Sequence, residues 1–485
     1  MKSHDAARRL VQIEEQLAGA SSYSDWKAAA LEHDRVSGKE AWKQAEKSNS
    51  YDHADIARRL EDLRGLRAAG DDMGLLFALN EGVHGNMGGM GRSALYGAAK
   101  FGTKQLIVDY VDELTRSLEY ISALPESVLT PEDRLDFFKR ASHCFGRSAL
   151  MLSGAGSLVH FHSGVIKTLF EEALLPTVIS GSSGGAVIAG VLGTNSNDEL
   201  RSFFSAGALE TISSDAFKEA NSRSRRPKIA ETDVHRLLDR VIPDITFQEA
   251  WEKTGRMINV TVATVEEHQT SRLMNAITSP NVFVRSAILA SCAVPGVFQP
   301  VTLTAKNSHG EAQPYLPGSR WVDGAVTDDL PAKRLARLYG VNHYIVSQAN
   351  PVALALMKSD DLWPGPRAVK NVWRHANKEW LRASEQFSRR YLRGVPEISK
   401  ALNIFYSLYA QEYSGDINIT PSFRLVDPRK VLGHLTTTEI EKLYADGQRS
   451  TWPLVEQIRL STQIGRTLDG ILQRHGDHDV RRHYQ

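Results

Sequence analysis

Hydrophobic positions along the chain fall into three regimes. In residues 1–135 they recur at helical spacing. Ile56, Leu60, Leu63 and Leu66 line up between Arg58, Arg59, Glu61 and Asp62, and Leu106, Ile107, Tyr110, Val111 and Leu114 form a second stripe. Each stripe needs an apolar partner, and packing on the middle of the chain is the expectation, preferred over contact with a membrane. Thr130-Pro131-Glu132-Asp133 reads as a helix start with proline at its first position. Between Ser148 and Pro351 the pattern changes. Short apolar runs at Ala149–Leu152 and Pro176–Ser180 are followed by an alternating run at Met257–Ala263 and another at His343–Ser347. Helical patterns lie between them, one running from Phe161 to Leu174 on Val165, Ile166, Leu169, Phe170 and Ala173. This alternation predicts an α/β domain, residues 148–351, with a mainly parallel sheet covered on both faces. Residues 352–485 return to helical spacing past a turn at Trp363-Pro364-Gly365-Pro366. There Trp373, Trp380, Phe387 and Tyr391 recur among Arg and Lys, a mix that suits a lipid interface and core packing equally. No sustained internal repeat is visible.

Two glycine-rich loops stand at the ends of the first two short runs. Gly181-Ser182-Ser183-Gly184-Gly185 fits Gly-x-Ser-x-Gly, with a strand signal before it and the helical Ala186–Leu192 after it. On a sharp strand-to-helix turn Ser183 would be exposed as a nucleophile at the positive end of a helix dipole. A flexible turn fits the same five residues. Ser153-Gly154-Ala155-Gly156-Ser157 also joins a strand signal to a helix. Its consecutive small residues expose N–H groups as a nest for an anion, which in acyl transfer is the tetrahedral oxyanion. A dinucleotide-binding loop is the rival reading, weakened by Val159 at the third glycine position; no Gly-Lys-Ser/Thr follows either loop, so a P-loop is unsupported. Ala155 and Ser183 are 28 positions apart, the length of one crossover, which sets the loops side by side at the carboxyl edge of one sheet. Trp321-Val322-Asp323-Gly324-Ala325-Val326 reads as a strand ending in an acid and a tight turn. Asp323 is a candidate general base toward Ser183, with an ordinary Asp-Gly turn as the alternative.

Composition narrows the class. The chain has 485 residues, a formal charge of +1 and two cysteines, Cys144 and Cys292. Near-neutral charge offers no general attraction to nucleic acid. Two cysteines argue against a disulfide framework and for a reducing, cytoplasmic compartment. Cys292 sits before Ala293-Val294-Pro295, which suggests a packed turn near the site rather than a nucleophile. The amino terminus lacks the apolar core of a signal peptide, and no run of 18 apolar residues occurs. Arg223-Ser224-Arg225-Arg226-Pro227-Lys228 reads as a solvated basic loop, with contact to anionic headgroups as the alternative. His475, His478 and His483 lie in a polar tail and are not read as metal ligands.

The order of oxyanion loop, Gly-x-Ser-x-Gly and Asp-Gly-Ala resembles the patatin-like phospholipase family. Further segments extend the likeness over roughly residues 25–470: Leu31 to Lys43, His84 to Gly91, Ala290 to Gly296, His343 to Pro351, Tyr413 to Ile417 and Ser450 to Pro453. They resemble the branch holding the yeast and plant triacylglycerol lipases and their bacterial relatives. The resemblance implies a three-layer α/β sandwich flanked by helical regions at 1–135 and 352–485. It implies a Ser183–Asp323 dyad, an oxyanion hole from Gly154, Ala155 and Gly156, and structural roles for Gly181, Gly185, Gly324 and Ala325. It further implies a lipid ester substrate met at a membrane or lipid-droplet surface, with no metal or cofactor. Triacylglycerol is the first substrate expected, phospholipid or lysophospholipid the second. Ala155 replaces the middle glycine of the family's loop, a change that keeps the N–H. The acyltransferase pattern of some relatives is absent, since His235 to Asp239 is one residue short. A Ser–Asp–His triad through His343 or His375 is the less favoured arrangement, and His160 and His162 read as ordinary polar contacts. A non-catalytic lipid-binding scaffold is the reading of another class.

Overall fold

A six-strand path forms the centre of the molecule: β4 (Arg272–Met274), β3 (Met257–Thr264), β2 (Val178–Gly181), β1 (Arg147–Leu152), β8 (Val341–Ser347) and β9 (Ile417–Ile419), in that spatial order. β7 (Trp321–Asp323) also pairs with β3, while β5 (Thr304–Lys306) and β6 (Ala312–Pro314) form a separate ribbon. The computed structural model describes residues 2–205, 230–266, 271–326, 328–351, 353–354, 415–422, 433 and 435–475. The basic loop Arg223–Lys228, the turn at Trp363–Pro366, the aromatic series Trp373, Trp380, Phe387 and Tyr391, and His375, His478 and His483 lie outside the described residues.

Pairings from β3 through β9 are parallel, and β4 and β7 run antiparallel to β3. Alternate strand residues serve opposite faces. Leu150, Leu152, Ile179 and Ile345 enter one core, with the helices Val159–Glu171, Gly184–Thr194 and Val284–Cys292. Ala149, Met151, Val178 and Val346 enter the other, under the helix Ala332–Tyr339. A sheet dry on both faces has continuous apolar strands, and that is why short unbroken runs marked them in the sequence.

The register fixes where the loops go. Leu152 lies opposite Gly181 on one side and Ser347 on the other, so β1, β2 and β8 stop level. β3 reaches further: Val260 pairs with Gly181, and two residues on Val262 pairs with Asp323. The segments after three strands and the end of a fourth thus meet at one edge.

The amino-terminal helices differ from expectation. Ile56, Leu60 and Leu63 on the helix His53–Ala69 pack with Leu106, Ile107, Tyr110, Val111 and Leu114 on the helix Gln105–Ser122, forming a core of their own. The sheet is not their partner. Leu460, Ile464, Leu468 and Ile471 of the helix Val455–Arg474 complete that core, while Val455 and Ile458 of the same helix join the core on the sheet. The Leu31–Lys43 segment supplies a buried ion pair: Asp34 accepts from Lys43 Nζ at 2.9 Å and from the Lys100 and Phe101 N–H groups at 2.8 and 3.0 Å. The carboxy-terminal region is not wholly helical, because β9 pairs with β8 there, Ile345 opposite Ile417. Three residues are too few for an alternating pattern to show. Among the described residues no helix is long and apolar enough to cross a membrane.

One crossing fixes the helix that continues the first glycine loop. A Cβ added at Gly164 would lie 2.0 Å from the Tyr444 carbonyl oxygen, and one at Gly447 would lie 2.1 Å from that of Phe161. The helices Val159–Glu171 and Thr437–Thr451 therefore touch backbone to backbone. Gly164→Ala should lower stability by about 1–3 kcal/mol, read as a reduced urea midpoint at unchanged slope. Gly65→Ala is the control: nothing lies within 4 Å of a new Cβ there, and it should be neutral or stabilising.

Candidate active site

Ser183 follows β2 by one residue and precedes the helix Gly184–Thr194. Its backbone stands at φ 50 and ψ −123, a conformation that costs a non-glycine residue about 1–3 kcal/mol. The surroundings enforce it. A Cβ at Gly185 would sit 2.3 Å from the Leu152 carbonyl oxygen, and one at Gly181 would sit 2.3 Å from that of Gly185. The turn is pressed on the end of β1, and only glycine fits at these two positions. Ser182 N–H donates to the Leu152 carbonyl at 3.2 Å and its hydroxyl to the Asp329 carbonyl at 3.0 Å. Ser183 N–H donates to Ser291 Oγ at 2.9 Å, and the Ser291 hydroxyl donates to the Thr261 carbonyl at 2.8 Å. With every neighbour fixed, the Ser183 side chain is left at a small opening, 9% exposed.

Asp323 reaches the same point from β7. Its N–H donates to the Ala293 carbonyl at 3.0 Å, and its Oδ1 accepts the Ala325 N–H at 2.8 Å. Gly324 lets the turn after it lie against β3, since an added Cβ would meet Thr261 backbone at 2.5 Å. The Ser183 side chain stands near enough to the Asp323 carboxylate to favour its charged form. Burial pushes the Asp323 carboxyl up to about 7; the Ala325 N–H and the Ser183 side chain oppose the rise, and the nearby Asp329 charge adds to it. A carboxylate near that value is well matched to taking a proton at neutral pH.

The first glycine loop lies against both. The nearest Ser183 contact of a Cβ placed on Gly154 would be Ser183 Cβ at 3.6 Å, and Gly156 N stands 3.3 Å from a Cβ placed on Gly184. Ala155 has φ −135, open to any residue, whereas Gly156 has φ 54. Alanine is therefore accommodated at the middle position but not at the third. Of the three N–H groups expected at an oxyanion hole, that of Gly154 is already engaged, donating to Asp329 Oδ1 at 2.7 Å. The Ala155 and Gly156 N–H groups donate to no acceptor among the described residues. They adjoin the amino end of the helix Gly184–Thr194, whose first turn has no side-chain cap.

Histidines take other places. His343 bonds Ser148 Oγ through Nδ1 at 3.0 Å, opposite Ser148 in the register and thus toward the far edge of the sheet from Ser183. His162 is fully buried; Nε2–H donates to the Ser153 carbonyl at 3.0 Å and Nδ1 accepts from Ser347 Oγ at 2.7 Å. Burial holds His160 and His162 down to about 4, so both are neutral and His162 braces the loop from below. Cys292 Sγ lies 3.6 Å from the Ser183 carbonyl, and burial first, then the Asp323 charge, push its thiol well above the usual range. It packs beside the turn and is no thiolate nucleophile. Sequence reasoning missed Asp329, Asn350 and Ser291. Asp329 lies in no quoted motif, Ser291 and Asn350 lie in quoted segments that were given no role, and only the fold makes the three partners of the two loops.

Known proteins resemble the chain along most of its length. Residues 150–336 match the family model described as patatin-like phospholipase, and residues 3–143 match a domain of unknown function, DUF3336. The triacylglycerol lipase ptl3 of Schizosaccharomyces pombe is 31% identical over 92% of this chain and 94% of its own length. The chain belongs to the patatin-like phospholipase family. Other patatin-like relatives include the triacylglycerol lipase SDP1L of Arabidopsis thaliana, 32% identical over 93% of this chain and 57% of that protein. A patatin-like phospholipase domain-containing protein of Yarrowia lipolytica is 31% identical over 91% and 56%. The chain thus spans little more than half the length of these two relatives. The solved structure of VipD from Legionella pneumophila overlays at a TM-score of 0.30 with 14% identity over 64% of this chain and 67% of that one, too loosely to inform the site.

In this patatin-like chain Asp323 must be ionised to accept a proton. Ser183-dependent labelling by a fluorophosphonate should therefore speed up as pH rises through about 7, and Asp323→Asn should slow it by about 10²-fold or more. The same substitution should stabilise the fold. A carboxyl raised from 3.8 to about 7 on folding contributes stability that is complete below pH 3.8 and lost as pH rises through 7. Asp323→Asn should accordingly melt higher than the unmodified chain at pH 8, with the gap closing below pH 4.

Proposed function

We propose that this chain is a serine lipid acyl hydrolase with a Ser183–Asp323 dyad, and that triacylglycerol is its substrate. The observation that carries the reading is the convergence at one sheet edge of a strained serine, a buried carboxylate that senses it and two unengaged N–H groups. In the first step Asp323 takes the Ser183 hydroxyl proton as Oγ bonds the acyl carbon. The carbonyl electron pair moves onto oxygen, where the Ala155 and Gly156 N–H groups receive it; each such donor is worth about 3–4 kcal/mol. Collapse breaks the ester C–O bond, and Asp323 returns the proton to the departing glycerol oxygen. Water, deprotonated by the same carboxylate, then attacks the acyl-serine and releases the fatty acid.

Surroundings suit an acyl chain drawn from a lipid surface. Val265, Val297 and Leu316 are 53%, 49% and 41% exposed. They lie just past β3, in the loop after Ala293 and in the loop leading to β7. Apolar side chains left in water on these loops fit contact with a membrane or lipid droplet. The choice of triacylglycerol rests on the relatives named triacylglycerol lipase, one of them covered over 94% of its length.

Purified protein should release fatty acid from a triolein emulsion faster than from phosphatidylcholine vesicles, and Ser183→Ala should abolish the release. Release chiefly from vesicles would make the protein a phospholipase. No Ser183-dependent release or labelling would point to a binding scaffold.

A further inference from the structure

Asp329 lies six residues beyond Asp323 and is 1% exposed, yet it sits on none of the catalytic motifs. Both carboxylate oxygens are engaged. Oδ1 accepts the Gly154 N–H at 2.7 Å, and Oδ2 accepts from Asn350 Nδ2 at 2.9 Å. Its main-chain carbonyl accepts the Ser182 hydroxyl at 3.0 Å. One residue therefore grips the loop after β1, the turn after β2 and the segment after β8. Asn350 is itself fixed, its N–H lying 3.1 Å from Ser153 Oγ and 2.9 Å from Gln348 Oε1.

We infer that Asp329 is the positioning residue of the oxyanion loop: by capturing the Gly154 N–H it leaves those of Ala155 and Gly156 to face the ester carbonyl bound at Ser183. The inference rests on the acyl-hydrolase reading and corrects one part of the expected hole, in which Gly154 was a donor. In this loop the Gly154 N–H turns to Asp329 and away from the two N–H groups that follow it. An anchor beneath the loop fixes the other two. The anchor has to accept on both sides, because Gly154 and Asn350 both donate. A carboxylate does so, whereas an amide would set its NH2 group against that of Asn350. Burial lifts the Asp329 carboxyl to about 6, with the Gly154 and Asn350 bonds opposing the rise, so it is ionised at neutral pH as this pairing requires.

The test uses the full chain and two readouts: steady-state hydrolysis of a p-nitrophenyl ester, and the rate of fluorophosphonate labelling at Ser183, whose phosphoryl oxygen enters the same hole. Asp329→Asn, equal in size, should lower kcat by about 10-fold or more with KM changed by no more than about 2-fold, and slow labelling in proportion. Adding Asn350→Asp reverses donor and acceptor between the two positions and leaves the amide oxygen for Gly154. The double variant should recover most of the lost kcat. A merely structural role predicts a fall in folded protein with no kcat-specific loss and no rescue. Unchanged kcat and labelling in Asp329→Asn, or loss that the swap does not restore, would overturn the inference. Absence of Ser183-dependent labelling in the unmodified chain would instead overturn the hydrolase reading, and this inference with it.

Discussion

β1, β2 and β8 run parallel and stop level with one another, and each then leaves the sheet into a site largely closed to water. Apart from the Ala155 and Gly156 N–H groups, the N–H and C=O groups beyond those ends need protein partners there. The three segments meet that need from one another. Ser153 N–H donates to the Ser347 carbonyl, Ser182 N–H to the Leu152 carbonyl, and the Ala349 and Asn350 N–H groups to Ser153 Oγ. His162 ties Ser153 to Ser347 from beneath. A buried polar network of this kind is stable only when nearly complete, which accounts for the burial of Ser153, Ser182, Ser291 and Ser347 in an otherwise apolar α/β core.

Two carboxylates share the site, and burial acts on them alike, lifting Asp323 to about 7 and Asp329 to about 6. Their partners set them apart. Asp329 has a fixed donor on each oxygen and nothing left to offer a substrate. Asp323 has the Ala325 N–H on one side and the reactive Ser183 on the other. Environment rather than residue type makes the difference between the two carboxylates. The same site concentrates the unfavourable terms of the fold, a serine at positive φ and two charges out of water, and the rigid surroundings over-determine its shape.

Support comes from well outside the patatin-like segment. The helix that extends the oxyanion loop is pinned at Gly164 by Gly447 of a carboxy-terminal helix. The next helix, Val455–Arg474, belongs to the sheet core at one end and to the amino-terminal helical core at the other. Regions that flank the catalytic segment thus act as its frame.

The strand-to-helix turn at Ser183, the glycine loop before it and the acid turn at Asp323 were legible in the sequence because each is a local device. Strand, glycine and helix lie within a few residues, and backbone sterics at Gly181, Gly185 and Gly324 admit little else. The dry parallel sheet was legible for the same reason, through its short unbroken apolar runs. The partners of those devices were not. Gly154 meets Asp329 across 175 residues, Ser183 meets Ser291 across 108 and His162 meets Ser347 across 185. Nothing in the local pattern around Asp329 separates an anchoring carboxylate from an ordinary loop acid. Nor could hydropathy tell that the amino-terminal stripes would face each other and a carboxy-terminal helix instead of the sheet. Local chemistry determined which residues could react. Only the parallel register, by bringing distant strand ends to one level, decided which N–H groups were taken, which stayed unengaged and which carboxylate was left facing Ser183.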